Sequence, residues 1–263
     1  MAFQQSTVSR SSLFSNGSGM EGSFRNARVL SNQDSNVFLK TIKSAARRLS
    51  LLAWLAATPA LLYAQGPPKE TGAFRAPDLV ELTTLDRTIR LDIRYATANN
   101  FLGRSVYTEA RAFLQRPAAQ ALVRANKELR KQGYGLLVFD GYRPWSVTKI
   151  FWDATPADKK EFVADPAQGS RHNRGCAVDL TLFDLKTGKE VAMPGAFDEM
   201  SERSHINYRG GTEDARRLRD LLRAAMEAQG FVVYEPEWWH YDYKDWKSYA
   251  ILDIPFAKIR GRK

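Results

Sequence analysis

The chain has 263 residues, 44% of them hydrophobic and 26% charged, with a single cysteine. That composition suits a globular protein able to bury a core without staples, and one cysteine excludes both an intrachain disulfide framework and a multi-cysteine zinc finger. The formal charge of +10 hints at a polyanion partner, yet residues 1–64 hold seven Lys/Arg against two Asp/Glu, and farther on basic side chains alternate with acids, as in RLRDLLRAAMEAQG. Charge so interspersed, with no basic patch carrying aromatics, argues against nucleic acid as a partner.

Residues 1–38 are rich in Ser, Asn and Gly without a sustained period and are expected to be disordered. KTIKSAARR, the apolar run LSLLAWLAATPALLYA and QGPPKE follow. That order is a basic region, a hydrophobic region of about 14 residues and a small-residue cleavage site after Ala64. Residues 39–64 therefore read as a secretory signal, with an uncleaved membrane anchor as the alternative. The run is shorter than the roughly 20 residues that span a bilayer. No cysteine stands directly after it, which excludes a lipoprotein anchor. The expectation is export to the periplasm, with no stable membrane insertion once the leader is removed. A linker over 65–78 leads into a folded domain over 79–258.

Within that domain LVELTTLDRTIRLDIRY, at 79–95, suggests one or two strands, and NNFLGRSVY, at 99–107, a turn and a further short extended segment. RPAAQALVRANKELRKQ, at 116–132, places Ala121, Leu122, Ala125 and Leu129 on one helical face, with Pro117 early and Gly133 just past the end. GLLVFDGYRP reads as a buried strand ending in a turn, and short helices are expected over 146–152 and 157–163. CAVDLTLFD is a strand. TEDARRLRDLLRAAMEAQG is the clearest helix, with Thr212 as cap, acids in its first turn and Gly230 as stop. FVVYEPEWWHYDY closes the core as a strand interrupted by Pro236. The elements mix without a βαβ repeat, so the expected class is a single α+β domain: a small mixed or antiparallel sheet flanked by helices.

Two of the three histidines fall in short stretches that also carry carboxylates: SRHNRGCAVD at 170–179 and EWWH at 237–240. Alternation along CAVDLTLF puts Cys176, Val178, Leu180 and Leu182 on one apolar face and Asp179 on the other, beside the small Ala177. Cys176 thus reads as core. His172 precedes the strand in a loose segment, and a turn after Pro236 would let Glu237 and His240 converge. His172, Asp179 and His240 would then offer three N/O ligands with a fourth position open, the arrangement of catalytic zinc, and Glu237 would stand beside them as a base. A non-haem iron site also uses two histidines and a carboxylate, but usually with the first histidine and the carboxylate one residue apart, whereas six residues intervene here. On spacing alone, hydrogen-bonded histidines in a half-buried strand remain an equal reading.

SRHNRGCAVD fits the pattern SxHxxGxAxD and EWWH fits ExWH; together they resemble the zinc D,D-peptidases of the cell wall, whose fold group includes the hedgehog N-terminal domain. LDIRYATANNFLGRSVY and FDGYRPWSV look more narrowly like the VanX-type zinc D-alanyl-D-alanine dipeptidases, and the resemblance spans about 75–258. It implies one Zn2+ per chain on His172, Asp179 and His240, Glu237 as base, and Arg143 as the charge that stabilises the oxyanion. It also implies a small D,D-dipeptide as substrate; a D,D- or L,D-carboxypeptidase and a non-catalytic wall-binding module are the alternatives. Ser170 would touch either substrate or its own loop, and Tyr95 and Tyr107 would line the pocket or pack the core. His205 has no carboxylate at metal spacing and reads as a loop-fixing residue, while Trp238 and Trp239 read as packing around the site.

Overall fold

The computed structural model describes residues 66–259. The expected disordered extension and secretory signal lie outside the described residues. Among the described residues no helix is long and apolar enough to cross a membrane.

The framework is a five-stranded sheet in the order β2–β4–β5–β7–β6, made of β2 (Arg90–Leu91), β4 (Tyr134–Asp140), β5 (Ala177–Asp184), β6 (Phe231–Tyr234) and β7 (Glu237–Tyr243). β2 runs parallel to β4 and the other neighbours are antiparallel. A separate two-stranded sheet pairs β1 (Leu79–Glu81) with β3 (Phe113–Gln115). Between β1 and β2 lies one turn of helix, α1 (Leu82–Leu85). The expected class, α+β with a small mixed sheet, is the observed one.

Helices α2 (Arg116–Lys131) and α4 (Glu213–Glu227) pack on one face of the sheet, and α3 (Trp145–Ala154) follows β4. α2 begins with Pro117, whose missing N–H costs nothing in a first turn, and α4 is capped by Thr212, whose hydroxyl accepts from Ala215 N at 3.1 Å. Cys176, Val178, Leu180 and Leu182 of the β5 segment sit in the main core, as alternation requires. The opposite face is covered too: Thr181 and Phe183 are also buried. Asp179, on that face, is likewise buried.

Two expectations need correcting. NNFLGRSVY contributes no strand, because the N–H groups of Val106 and Tyr107 both bond to the carbonyl of Tyr95 and fold the segment back on it. FVVYEPEWWHYDY is not one interrupted strand but a hairpin, with Phe231 opposite Tyr243 and Val233 opposite Tyr241. The segment after Pro236 is β7 itself, so a turn is not what brings Glu237 to His240. The expected linker over 65–78 contains no helix or strand where described, yet it is docked: Glu70 takes hydrogen bonds from Arg174 and from Ile251 N, and Arg75 N bonds Ser248 O.

Candidate metal centre and active site

The site lies across three adjacent strands. Asp140 of β4 pairs with Asp179 of β5, and Asp179 pairs with His240 of β7, so three polar side chains form one row on the sheet face away from α2 and α4. His172 joins the row from a single 3-10 turn, His172–Arg174, which ends at Gly175 with φ of 67°, a left-handed conformation that glycine adopts without strain.

The loop of His172 is sewn to the turn after β4. Arg143 N donates to His172 O at 3.1 Å, Asn173 Nδ2 donates to Arg143 O at 2.9 Å, and His172 Nδ1 meets Gly141 O at 2.7 Å. A side chain at position 141 would collide with Phe113 O, 2.8 Å from where its Cβ would sit. The two sequence stretches, GYRP and SRHNRG, are thus one structural unit.

Because Gly141 O only accepts, His172 carries its proton on Nδ1 and presents the Nε2 lone pair to the cluster. That Nε2 is 3.3 Å from Asp179 Oδ1 and 3.1 Å from His240 Nδ1, and His240 Nδ1 is 3.0 Å from the same Asp179 oxygen. The ligand atoms of His172, Asp179 and His240 all lie within 4.8 Å of one another, and all three residues are buried. A buried carboxylate facing two imidazole nitrogens is the donor set of a divalent cation such as zinc, and the residues fit that group.

Glu237 is close to the cluster but outside it, its Oε2 3.7 Å from His240 Nδ1. Regular alternation would put residues three apart on opposite faces. Here the register slips, with Val233 opposite Tyr241 but Tyr234 opposite Glu237. The bulge absorbs the mismatch, and Glu237, Trp239 and His240 all line one cavity. Burial pushes the Glu237 carboxyl up to about 7, against the pull of His240. A carboxylate so placed titrates near neutral pH, as a general base requires.

Arg143 is almost fully buried. Its Nε donates to Asp140 Oδ2 at 2.9 Å, a second guanidinium nitrogen is 2.8 Å from the same oxygen, and one nitrogen is 3.5 Å from Asp179 Oδ2. The guanidinium lies 4.5 Å from the Phe151 ring centroid. The Tyr95 ring centroid is 5.4 Å away on another side, and Arg143 lines the cavity.

The cavity, of about 120 Å³, is also lined by Tyr95, Ser170 and Asp198. Ser170 Oγ accepts from His172 N at 3.2 Å, so it braces the loop as well as facing the cavity. Tyr95 donates to both oxygens of Asp198 at 3.0 Å. Of the two readings left open for Tyr107, core packing is the observed one: it is buried, does not line the cavity, and its hydroxyl donates to Asp140 Oδ1 at 2.8 Å. His205 stands apart from the metal cluster, and Trp238 is buried packing.

Sequence reasoning missed Asp140, Asp198 and Asp242. Asp140 ends a buried apolar strand, a position that signals a pocket floor. Asp242 lies two residues beyond His240 on the same strand, so alternation alone brings the two together, and Asp242 Oδ1 is 2.9 Å from His240 Nε2. Asp198 gave no such signal. It sits in an irregular loop with φ of 59°, the one positive value at a non-glycine among the described residues. Burial, then the charge of Asp179, pushes its carboxyl up to about 8.

Comparison with known proteins agrees with this geometry. A family model described as D-ala-D-ala dipeptidase matches residues 75–258. The chain is 36% identical over 180 residues to the D-alanyl-D-alanine dipeptidase of Escherichia coli K12, covering 68% of this chain and 92% of that protein. It is 39% identical over 175 residues to the enzyme of the same name from Enterococcus faecium, covering 60% and 87%, and 40% identical over 172 residues to that of Enterococcus faecalis, covering 58% and 85%.

Proposed function

The chain belongs to the D-ala-D-ala dipeptidase family of zinc metallopeptidases, and on that footing we propose that it hydrolyses D-alanyl-D-alanine to two molecules of D-alanine. The observation that carries this reading is the pairing, in one small cavity, of a three-ligand cluster with an adjacent uncoordinated carboxylate and a fixed guanidinium. A wall-binding module would need neither Glu237 nor Arg143.

His172, Asp179 and His240 would hold zinc, which when bound would supply Lewis-acid polarisation and lower the pKa of the attacking water. The protein's own residues do the rest. Glu237 Oε2 takes the proton of the attacking water as its oxygen bonds to the amide carbon, then gives that proton to the leaving nitrogen as the C–N bond breaks. Arg143, held by Asp140, keeps positive charge where the carbonyl oxygen becomes negative. Asp198, with Tyr95 against it, offers the substrate's ammonium a carboxylate in poor solvent. An ammonium there restores the charged form that burial disfavours.

A panel of substrates tests this reading by release of alanine: D-Ala-D-Ala, L-Ala-L-Ala, N-acetyl-D-Ala-D-Ala and a muramyl pentapeptide. Turnover of D-Ala-D-Ala is expected to exceed that of the others by at least about tenfold, which is the scale of one lost charge contact. Asp198→Asn is expected to raise KM for the dipeptide more than it lowers kcat. Cleavage of the pentapeptide in preference to the dipeptide would make the enzyme a carboxypeptidase.

Export completes the proposal. The support is the basic, apolar and small-residue order of residues 39–64. An exported enzyme meets dipeptides released from the wall and not the cytoplasmic precursor pool, which favours a role in peptide turnover. Fractionation of a Gram-negative host expressing the C-terminally tagged full chain should recover a shortened protein from the periplasm. Full-length protein confined to the cytoplasm would remove the export step.

A further inference from the structure

The two histidines of the cluster present different nitrogens, and each is oriented by a different partner. His172 is fixed through Nδ1 by Gly141 O, a backbone carbonyl that no substitution removes. His240 is fixed through Nε2 by a side chain, Asp242 Oδ1 at 2.9 Å. We infer that Asp242 is a positioning residue for metal binding: it holds the Nε2–H tautomer of His240, so that the Nδ1 lone pair faces Asp179 and His172.

The strand geometry supports the assignment. Asp242 follows His240 by two residues on β7, which puts both side chains on one face. Opposite Asp242 on β5 is Ala177, fully buried and small, which leaves room for the carboxylate beside the imidazole. The second oxygen of Asp242 is held from outside, with Arg171 Nε 3.4 Å from Oδ2 and the Arg171 guanidinium 4.9 Å from the Trp246 ring centroid. Arg171 thus adds an ion pair, without a hydrogen bond, on the side of Asp242 away from His240. The chemistry requires some such partner. A neutral imidazole has one N–H, and without an acceptor at Nε2 the proton can settle on Nδ1 and point into the cluster, where it blocks a ligand position. Outer partners of this kind change metal affinity by about 10–100-fold when removed.

The inference rests on the metallopeptidase reading, so its test reads metal binding instead of turnover. Zinc affinity of the full chain is measured by competition with a chromogenic chelator for the unaltered protein, Asp242→Ala and Asp242→Asn, and the melting temperature of each is followed without metal. Asp242→Ala is expected to weaken zinc binding about 10–100-fold. Asp242→Asn keeps an acceptor oxygen, and affinity should return to within a few-fold of the unaltered chain. Alanine and unaltered proteins of equal affinity would overturn the inference, whatever their melting temperatures, and so would an asparagine variant as weak as alanine. Long-range 15N–1H spectra of the zinc-loaded, unaltered chain give a test that needs no variant to fold. A proton on Nε2 of His240 supports the role, and a proton on Nδ1 overturns it. Failure of the unaltered chain to bind zinc at all is a separate result, and it would sink the metallopeptidase reading along with this one.

Discussion

Replacing Glu237 with glutamine lowers kcat for the dipeptide by about 10²–10⁴-fold, the usual contribution of a positioned general base, while zinc content stays at one per chain. Glutamine keeps the shape and the burial of the side chain but cannot accept the water's proton. The metal is retained because Glu237 lies beside the ligand atoms and not among them. Burial poises its carboxyl near pH 7 before metal enters, and a bound dication lowers that value by favouring the charged form. As Glu237 works deprotonated, activity is lost as pH falls through its pKa, and this acidic limb should disappear from the residual activity of Glu237→Gln. Alanine-release assays over a pH series, with metal content measured on the same samples, check both statements. Turnover within tenfold of the unaltered enzyme would remove Glu237 from the proton path.

The contrast between Glu237 and Asp198 shows which parts of such a site a sequence can carry. His172, Asp179 and His240 were legible because each sits in a stretch whose local pattern restricts it: alternation assigned Asp179 to one face of β5 and Cys176 to the other, and both assignments hold. The convergence of Glu237 with His240 was expected for a wrong reason. A turn after Pro236 was the local explanation, whereas the cause is a register slip between β6 and β7, which depends on pairing between strands. For Tyr107 the sequence left pocket and core open, since only the fold shows that Asp140 lies within reach of its hydroxyl. Asp198 is the extreme case: it arrives from an irregular loop and owes its place to Tyr95, 103 positions away. Long-range partners of this kind leave no periodicity to read. The same holds for residues 66–78, which read as a linker and give no sign that Glu70 is caught by the buried Arg174 two residues after His172.

Arg143→Ala is expected to impair the enzyme twice, through chemistry and through folding, and the two effects can be separated. Loss of one preorganised donor at a developing oxyanion lowers kcat by about 10²–10³-fold. Removal of the guanidinium also leaves Asp140, 1% exposed, without its charge partner. Breaking one side of a buried pair costs about 3–5 kcal/mol. For a domain of this size that is a fall in melting temperature on the order of 10 °C. Burial already pushes the Asp140 carboxyl up even with Arg143 in place, so in the variant it takes a proton to escape the unpaired charge. Neutralising both partners should then recover most of the stability: in Arg143→Met with Asp140→Asn the amide can still accept from Tyr107 and Gly141, which bond Asp140 Oδ1 in the unaltered protein. The double variant should not recover turnover, because the Arg143 charge that would face the developing oxyanion is gone. Melting curves and kcat on Arg143→Met, Asp140→Asn and the double variant close the cycle. Stability that returns together with activity would show Arg143 to be a folding residue alone, and activity that stays low in a refolded double variant places its charge in the reaction.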